Sequence, residues 1–430
     1  MKNLIFIFLL LAGTHFLSAQ PTEKKVDALV SPKLAEKELT VGGRDADVCG
    51  FNNQSVQYAI DAVSKTGGTV KLNPGLFEIT APVRMKSNVK LIGSGRETIL
   101  KRGKGIQTRF VVDADYAELK LTVENSDGFE PGMKIQVTDQ NNSSCWNVST
   151  AYITDIQDDT IYIDSYLIRD YRSDRDGLVS NASSVIEVIE AENVLISNLT
   201  ADGNRAENFF ADGCNSAGIL ILKSKKVIVD NVHVKDFNGE GISWQITENV
   251  TIRNSEISGS GNTGMHPGTG SPFTIIENNN VHHNDNDGLF ICWRVYQSTV
   301  TNNQFHHNGR FGICTGHKDS DVIFTGNHIF ENESDGVHLR GERESNAPHR
   351  NTFVKNVIEN NGTKNGGYGF SINSPARDLI LKENIFRSSG EKTQKAAIYI
   401  QSNGLAPELI NNQIEGHPEG DVVEEKTGDN

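Results

Sequence analysis

The chain has 430 residues, with 41 Lys and Arg against 55 Asp and Glu, a formal charge of −14. That balance lacks the broad basic footprint of a nucleic-acid-binding surface, and no run beyond the N-terminus reaches membrane-spanning length. Hydrophobic residues make up 37% and glycines number 40, the composition of a chain that turns often and needs permissive backbone at each turn.

The first residues read as an export signal. Lys2 supplies the positive start, Leu4 to Ala12 form a short apolar run, and Ser18-Ala19-Gln20 offers small residues for cleavage. A signal over 1–19 implies a secreted or periplasmic protein. Residues 20–48 are polar and mixed, a linker. From Asn52 the character changes: Val56, Ala59, Ile60 and Val63 recur at helical spacing, an Asn caps the start and Gly67-Gly68 stops it. A strand follows from Thr69, then a turn at Asn73-Pro74-Gly75, then the strand and turn of SNVKLIGSG from Ser87.

This helix, with GGTVKLNPGLFEI and NVKLIGSG, resembles the entry cap of the right-handed parallel β-helix superfamily of pectate lyases, polygalacturonases and phage tailspikes. The resemblance implies an all-β fold, a single-stranded right-handed parallel β-helix solenoid over residues 49–415, with a short N-terminal helix plugging its open end. Without that plug, the first coil would expose an apolar cross-section and unpaired strand edges. It also implies a carbohydrate-active protein.

Residues 108–180 break the rhythm. GFEPGMKIQVTDQ and STAYITDIQDDTIYIDSYL alternate every second residue, as a small antiparallel excursion would. Trp146, Tyr166, Arg169, Tyr171 and Arg172 are its candidate wall residues. From about Val185 the repeat becomes regular. Asn279, Asn303, Asn327, Asn356, Asn384 and Asn412 form a column in which each Asn tolerates left-handed backbone and bonds to the next coil. The acidic end, 416–430, reads as a disordered tail. Among the five cysteines (49, 145, 214, 292 and 314) there is no CxxC pair, so a thiolate zinc site is not expected. Cys292 and Cys314 fall on adjacent turns, either bonded to each other or, the favoured reading, as buried free thiols.

Four lines of the repeat, GMHPGTG, GLFICWR, GICTGHK and GVHLRGE, start 24 residues apart at Gly264, Gly288, Gly312 and Gly336. Residues one and three after each glycine are mostly apolar and should point inward, so residues two and four should face out. His266, Phe290, Cys314 and His338 then share an outward column, with His266 and His338 roughly 14 Å apart at a coil spacing near 4.8 Å. A one-residue slip would reverse this face. Basic and aromatic side chains gather on these lines, and they form the candidate site. His338, Arg340, His317 and Lys318 are the candidate catalytic residues, with His266, Trp293, Arg294 and Glu342 binding substrate. His266 lies in a proline- and glycine-rich segment expected to be irregular.

Such a face suits β-elimination in a uronic-acid polysaccharide. A base (His338 or His317) removes the proton next to a carboxylate, and cations (Arg340, Lys318, Arg294) neutralise that carboxylate. Inverting glycoside hydrolysis is the alternative, with Asp287 and Asp335 as the paired acids two coils, roughly 9.6 Å, apart. A surface β-helix that binds a glycan without cleaving it is the third reading. The expected partner is an anionic polysaccharide and the expected state a monomer. No cofactor is expected, and no acidic cluster supports calcium. The histidine pairs His282-His283 and His306-His307 fall on the turn after the Asn column, away from this face, and read as surface residues, with a metal site there as the lesser reading.

Overall fold

The computed structural model describes residues 37–364, 366–389 and 394–425. The expected export signal lies outside them. Each regular coil contributes one strand to each of three parallel sheets, and chain order runs around the coil. Glu248–Arg253, Glu256–Ser258 and Met265–Gly268 make one such turn. The first sheet has thirteen strands and the second and third eleven each. Every pairing within them is parallel, and parallel crossovers are right-handed.

The interior is stacked in columns of like residues. Ile276, Val300, Phe324, Phe353 and Leu381 are partners in the first sheet. Ile257, Val281, Phe305 and Ile329 are partners in the second, and Ile313, Val337, Phe370 and Ile398 in the third. All are buried, and Phe324 and Phe353 stack face to face at 4.1 Å. Each such side chain stabilises the fold by roughly 1.5–3 kcal/mol, and every coil adds the same increment.

Helix α1, Asn53–Ser64, closes the first coils. The Asn52 side chain accepts from the Ser55 amide at 2.9 Å, which satisfies one orphan donor of the first turn. Val56, Ala59, Ile60 and Val63 face the common core with Val41 and Val70.

Two boundaries and one column differ from the sequence reading. Lys37–Gly42 and Val48–Cys49 pair into the first sheet, so the solenoid begins inside the expected linker. Leu39 and Val41 alternate with Glu38 and Thr40, too short a pattern to read as a strand without its partner. At the other end Gly420–Glu424 pairs with Ala396–Ile400, so the expected disordered tail holds a strand. The Asn column also works differently. The left-handed residue is the one before it, as at Asn278 (φ 56°) and Asn302 (φ 55°), and the column residues from Asn279 to Asn384 are buried. Each donates from Nδ2 to the Oδ1 of the next, as from Asn303 to Asn327 at 3.0 Å. A second ladder runs through Asn284, Asn308, Asn332, Asn361 and Gln394.

Residues 107–180 form a six-stranded antiparallel sheet with its own core of Phe110, Ile135, Ile153, Ile161 and Val179. Tyr171 belongs to that core, its hydroxyl bonded to Asn147 O at 2.8 Å, so it is not a wall residue. The outlying sheet rests on the outer face of the third sheet. Lys134 Nζ meets Glu187 Oε1 at 2.5 Å, and the Tyr152 hydroxyl donates to Glu187 Oε2 at 2.7 Å. Asn215 Nδ2 donates to Cys145 O at 2.7 Å.

Candidate functional site

The third sheet carries the expected outward column. Leu220 and Ser243 are register partners, as are Ser243 and His266, then Phe290 and Cys314, Cys314 and His338, His338 and Ser371, and Ser371 and Tyr399. Two residues further along, Gln245 pairs with Gly268, and Arg340 follows immediately after the strand Val337–Leu339 that holds His338. The face divides into a covered part and an open part.

The covered part lies around His266. That residue is 5% exposed, because the outlying sheet and the 212–215 turn close over it. Met265–Gly268 is a regular strand in register with Glu240–Gln245, so His266 is not on an irregular loop and does not face an open groove. Its Nδ1 is 3.6 Å from Glu240 Oε1, beyond hydrogen-bond range, and neither ring nitrogen has a bond among the described residues. Burial works against its charge, while Cys292 and Glu240 beside it hold the imidazole above its ordinary range, at about 10. Burial pushes the Glu240 carboxyl up. The Glu240 side chain lies over Gly213, where an added Cβ would meet it at 1.8 Å. Beside it, Cys145, Asp212 and Cys214 bring their ligand atoms within 4.8 Å of one another. That grouping joins the outlying sheet to the solenoid and was not legible as a CxxC spacing. Cys292 and Cys314 are both free thiols, and burial raises Cys314 to about 12.

The open part centres on His338. Its Nδ1 is 2.9 Å from Asp335 Oδ2, and Asp335 Oδ1 accepts from the Tyr368 amide at 2.9 Å. An ionised carboxylate only accepts, so Nδ1 carries a proton, and in the neutral ring Nε2 presents its lone pair. Phe311 stacks on the ring at 4.2 Å with a 1° interplanar angle, which fixes its plane. One coil away Arg310 grips Asp287 with two bonds, of 2.8 and 2.6 Å. That carboxylate is fully buried.

Arg340 does not stand outward as a free cation. Its Nη1 donates to Ile291 O at 2.8 Å, and its Nη2 is 3.5 Å from the buried Asp319. The guanidinium carbon lies over Phe290, 4.6 Å from the ring centre. Gly316 makes room, since a Cβ there would meet Arg340 Nε at 2.7 Å. Burial raises the Asp319 carboxyl to about 6 despite Arg340. His317 Nδ1 is 3.3 Å from Glu342 Oε2, and its ring lies 5.0 Å from Trp293. Trp293 and Arg294 both take left-handed backbone, φ 63° and 65°. This bend turns two large side chains out to solvent, where both are exposed. Left-handed backbone costs a non-glycine residue free energy and is over-represented at working surfaces. Lys318 is exposed.

The structure thus brings His338 together with Asp335, and His317 with Trp293 and Glu342. It sets His266 apart and ties Arg340 to Asp319. Phe311 and Tyr368 escaped the sequence reading, although each immediately precedes a repeat glycine, as do Asp287 and Asp335. A depression of about 380 Å³ beside α1, lined by Gln54, Asp61, Arg84 and Glu130 among others, holds none of these groups.

A family model described as the right handed beta helix region matches residues 134–291 and 184–353. No curated protein sequence matches the chain. Among solved structures, the A-module of the mannuronan C-5 epimerase AlgE4 of Azotobacter vinelandii superposes with a TM-score of 0.56 at 18% identity, covering 87% of this chain and 96% of that one. The AlgE6 A-module of the same organism gives 0.55 at 16%, with the same coverages. ORF18 of Geobacillus virus E2 gives 0.52 at 12%, covering 88% of this chain and 62% of that one. At these identities the likeness is one of fold. The two family matches together span residues 134–353, just over half of the chain, and with the three-sheet parallel solenoid they identify the chain as a member of the right-handed β-helix family.

Proposed function

We propose that the chain is an exported polysaccharide-acting enzyme, a lyase that cleaves a uronic-acid glycan by β-elimination on the open part of the third sheet. The observation that carries this reading is the His338–Asp335 pair, which leaves Nε2 as a base on an outward column. Nε2 takes the proton at C5, next to the carboxylate, and the electron pair enters an enolate-like intermediate. Its charge needs cations close by, and the exposed Arg294 and Lys318 are the available ones. Collapse of the intermediate breaks the bond from C4 to the glycosidic oxygen, which takes a proton from water as it leaves, and the proton on His338 Nε2 then passes to the hydroxide so formed. Trp293 is placed to stack on a sugar ring. His317 remains a second candidate base, with Glu342 at its Nδ1.

Paired-acid hydrolysis has less support, because Asp287 is buried under Arg310 and Asp335 is engaged by His338 and the Tyr368 amide. Epimerisation at C5 begins with the same proton removal, and two proteins of similar fold are named as mannuronan C-5 epimerases.

The test is incubation with a panel of uronate and neutral polysaccharides, following absorbance of unsaturated products, reducing ends and uronate stereochemistry in parallel. A lyase raises the first two. Hydrolysis raises reducing ends alone, epimerisation changes stereochemistry alone, and a binding module changes none; each of these overturns the lyase reading.

A further inference from the structure

The outer face of the second sheet carries a feature that glycan chemistry does not use. His282 and His306 are register partners on adjacent coils, and each is followed by a second histidine. The rings form two stacks, His282 on His306 at 4.9 Å and His283 on His307 at 5.1 Å. Within each pair the two Nδ1 atoms converge, at 2.8 Å for His282 and His283 and 2.7 Å for His306 and His307. His283 and His307 take left-handed backbone, φ 54° and 53°, which swings the second ring round to meet the first.

The outer nitrogens decide what those contacts mean. His306 Nε2 lies 2.9 Å from Asn280 Oδ1, and His307 Nε2 lies 2.9 Å from Glu331 Oε2. His282 Nε2 is 3.4 Å from Glu256 Oε1. Each of these partners accepts, so the Nε2 of His282, His306 and His307 carries its ring's proton, and each of these rings, when neutral, presents a bare lone pair at Nδ1. Two lone pairs facing each other at 2.7 Å need a cation shared between them. A carboxylate or amide oxygen on the far nitrogen is also how metal-binding histidines are oriented and made more basic.

We propose that His306-His307 and His282-His283 are chelating pairs for a divalent transition-metal ion, with copper(II) preferred. Two nitrogens about 2.0 Å from an ion and at right angles to it lie about 2.8 Å apart, whereas a tetrahedral ion would spread them to about 3.3 Å. The observed separations match the right-angled arrangement of a square-planar ion. The coil spacing of about 4.8 Å puts the two pairs too far apart to share one ion at bonding distance. Each pair therefore takes its own, up to two per chain. The rings of His283 and His307 are exposed, so ions can reach the site.

The experiment is titration of the untagged, chelator-stripped chain with copper(II) chloride. Calorimetry reads the stoichiometry, and electron paramagnetic resonance reads the imidazole nitrogens. The wild type should take up one to two ions with nitrogen splitting from two imidazoles. His307→Gln should weaken one site about tenfold or more, and His283→Gln with His307→Gln should abolish both. His349→Gln should change nothing, and circular dichroism establishes that each variant is folded. No uptake by the wild type would mean that protons satisfy the paired nitrogens, and would overturn the proposal. Uptake unaffected by the double variant, or a signal without nitrogen splitting, would overturn it equally.

Discussion

Arg340 shows how far a column position determines a role. The sequence places it outward, and its backbone is outward. Its long side chain nonetheless folds back across Gly316 to Ile291 O and the buried Asp319, and register carries no information about such a rotamer. Arg340→Ala would strip a buried carboxylate of its cation, so it should destabilise the fold by about 3 kcal/mol. Denaturant unfolding measures this. A variant as stable as the wild type would show that the pair holds nothing together. His266 gives a pH signature. Its folded value of about 10 stands above the ordinary 6.5, so the folded state holds this proton more tightly than the unfolded chain. The stabilisation is full below about 6.5 and lost as pH rises toward 10. The thermal midpoint should therefore fall between pH 7 and 10, and His266→Gln should flatten that fall. An unchanged slope in the variant would assign the fall to other groups.

At the scale of elements, periodic features were legible and contacts between non-repeating parts were not. The 24-residue interval placed the strands, the inward and outward columns and the first Asn ladder, because every coil repeats one solution to the same bend. The second ladder shares the first three spacings, 24, 24 and 29, but its last step is 33 residues and ends in Gln394, and it follows the histidine pairs, so it stood out less. The seat of the outlying sheet on Glu187 and the 212–215 turn depends on long-range packing that no period announces. Nor could the pairing of Lys37–Gly42 with Gly68–Leu72 be read, since six residues without a repeat partner look like linker. The ladders should matter energetically. Asn327 donates to Val300 O and Asn356 Oδ1 and accepts from the Asn303 amide. Asn327→Ala leaves those buried groups unpaired, at about 2–3 kcal/mol. Urea unfolding of this variant and of the exposed-site control Gln304→Ala, on a regular strand, compares the two. Equal losses would contradict the ladder account.

For the whole molecule, the solenoid supplies a long outer face, and the outlying sheet closes one end of it over His266. What remains open is the surface around His338, His317 and Trp293. Working charges on an exposed shelf are screened within about 10 Å at 0.1 M salt, so binding of a polyuronate should weaken as ionic strength rises, and binding that ignores salt would count against a cationic face. The central claim is that this face removes the C5 proton of a uronate, with His338 as the base. The most direct measurement is proton magnetic resonance of the active polyuronate in deuterated water, following the H5 resonance under the wild type and under His338→Gln. The account predicts that H5 is lost with the wild type and persists about a hundredfold longer or more with the variant. Retention of H5 while chains are cut, or equal loss of H5 with the variant, would contradict it.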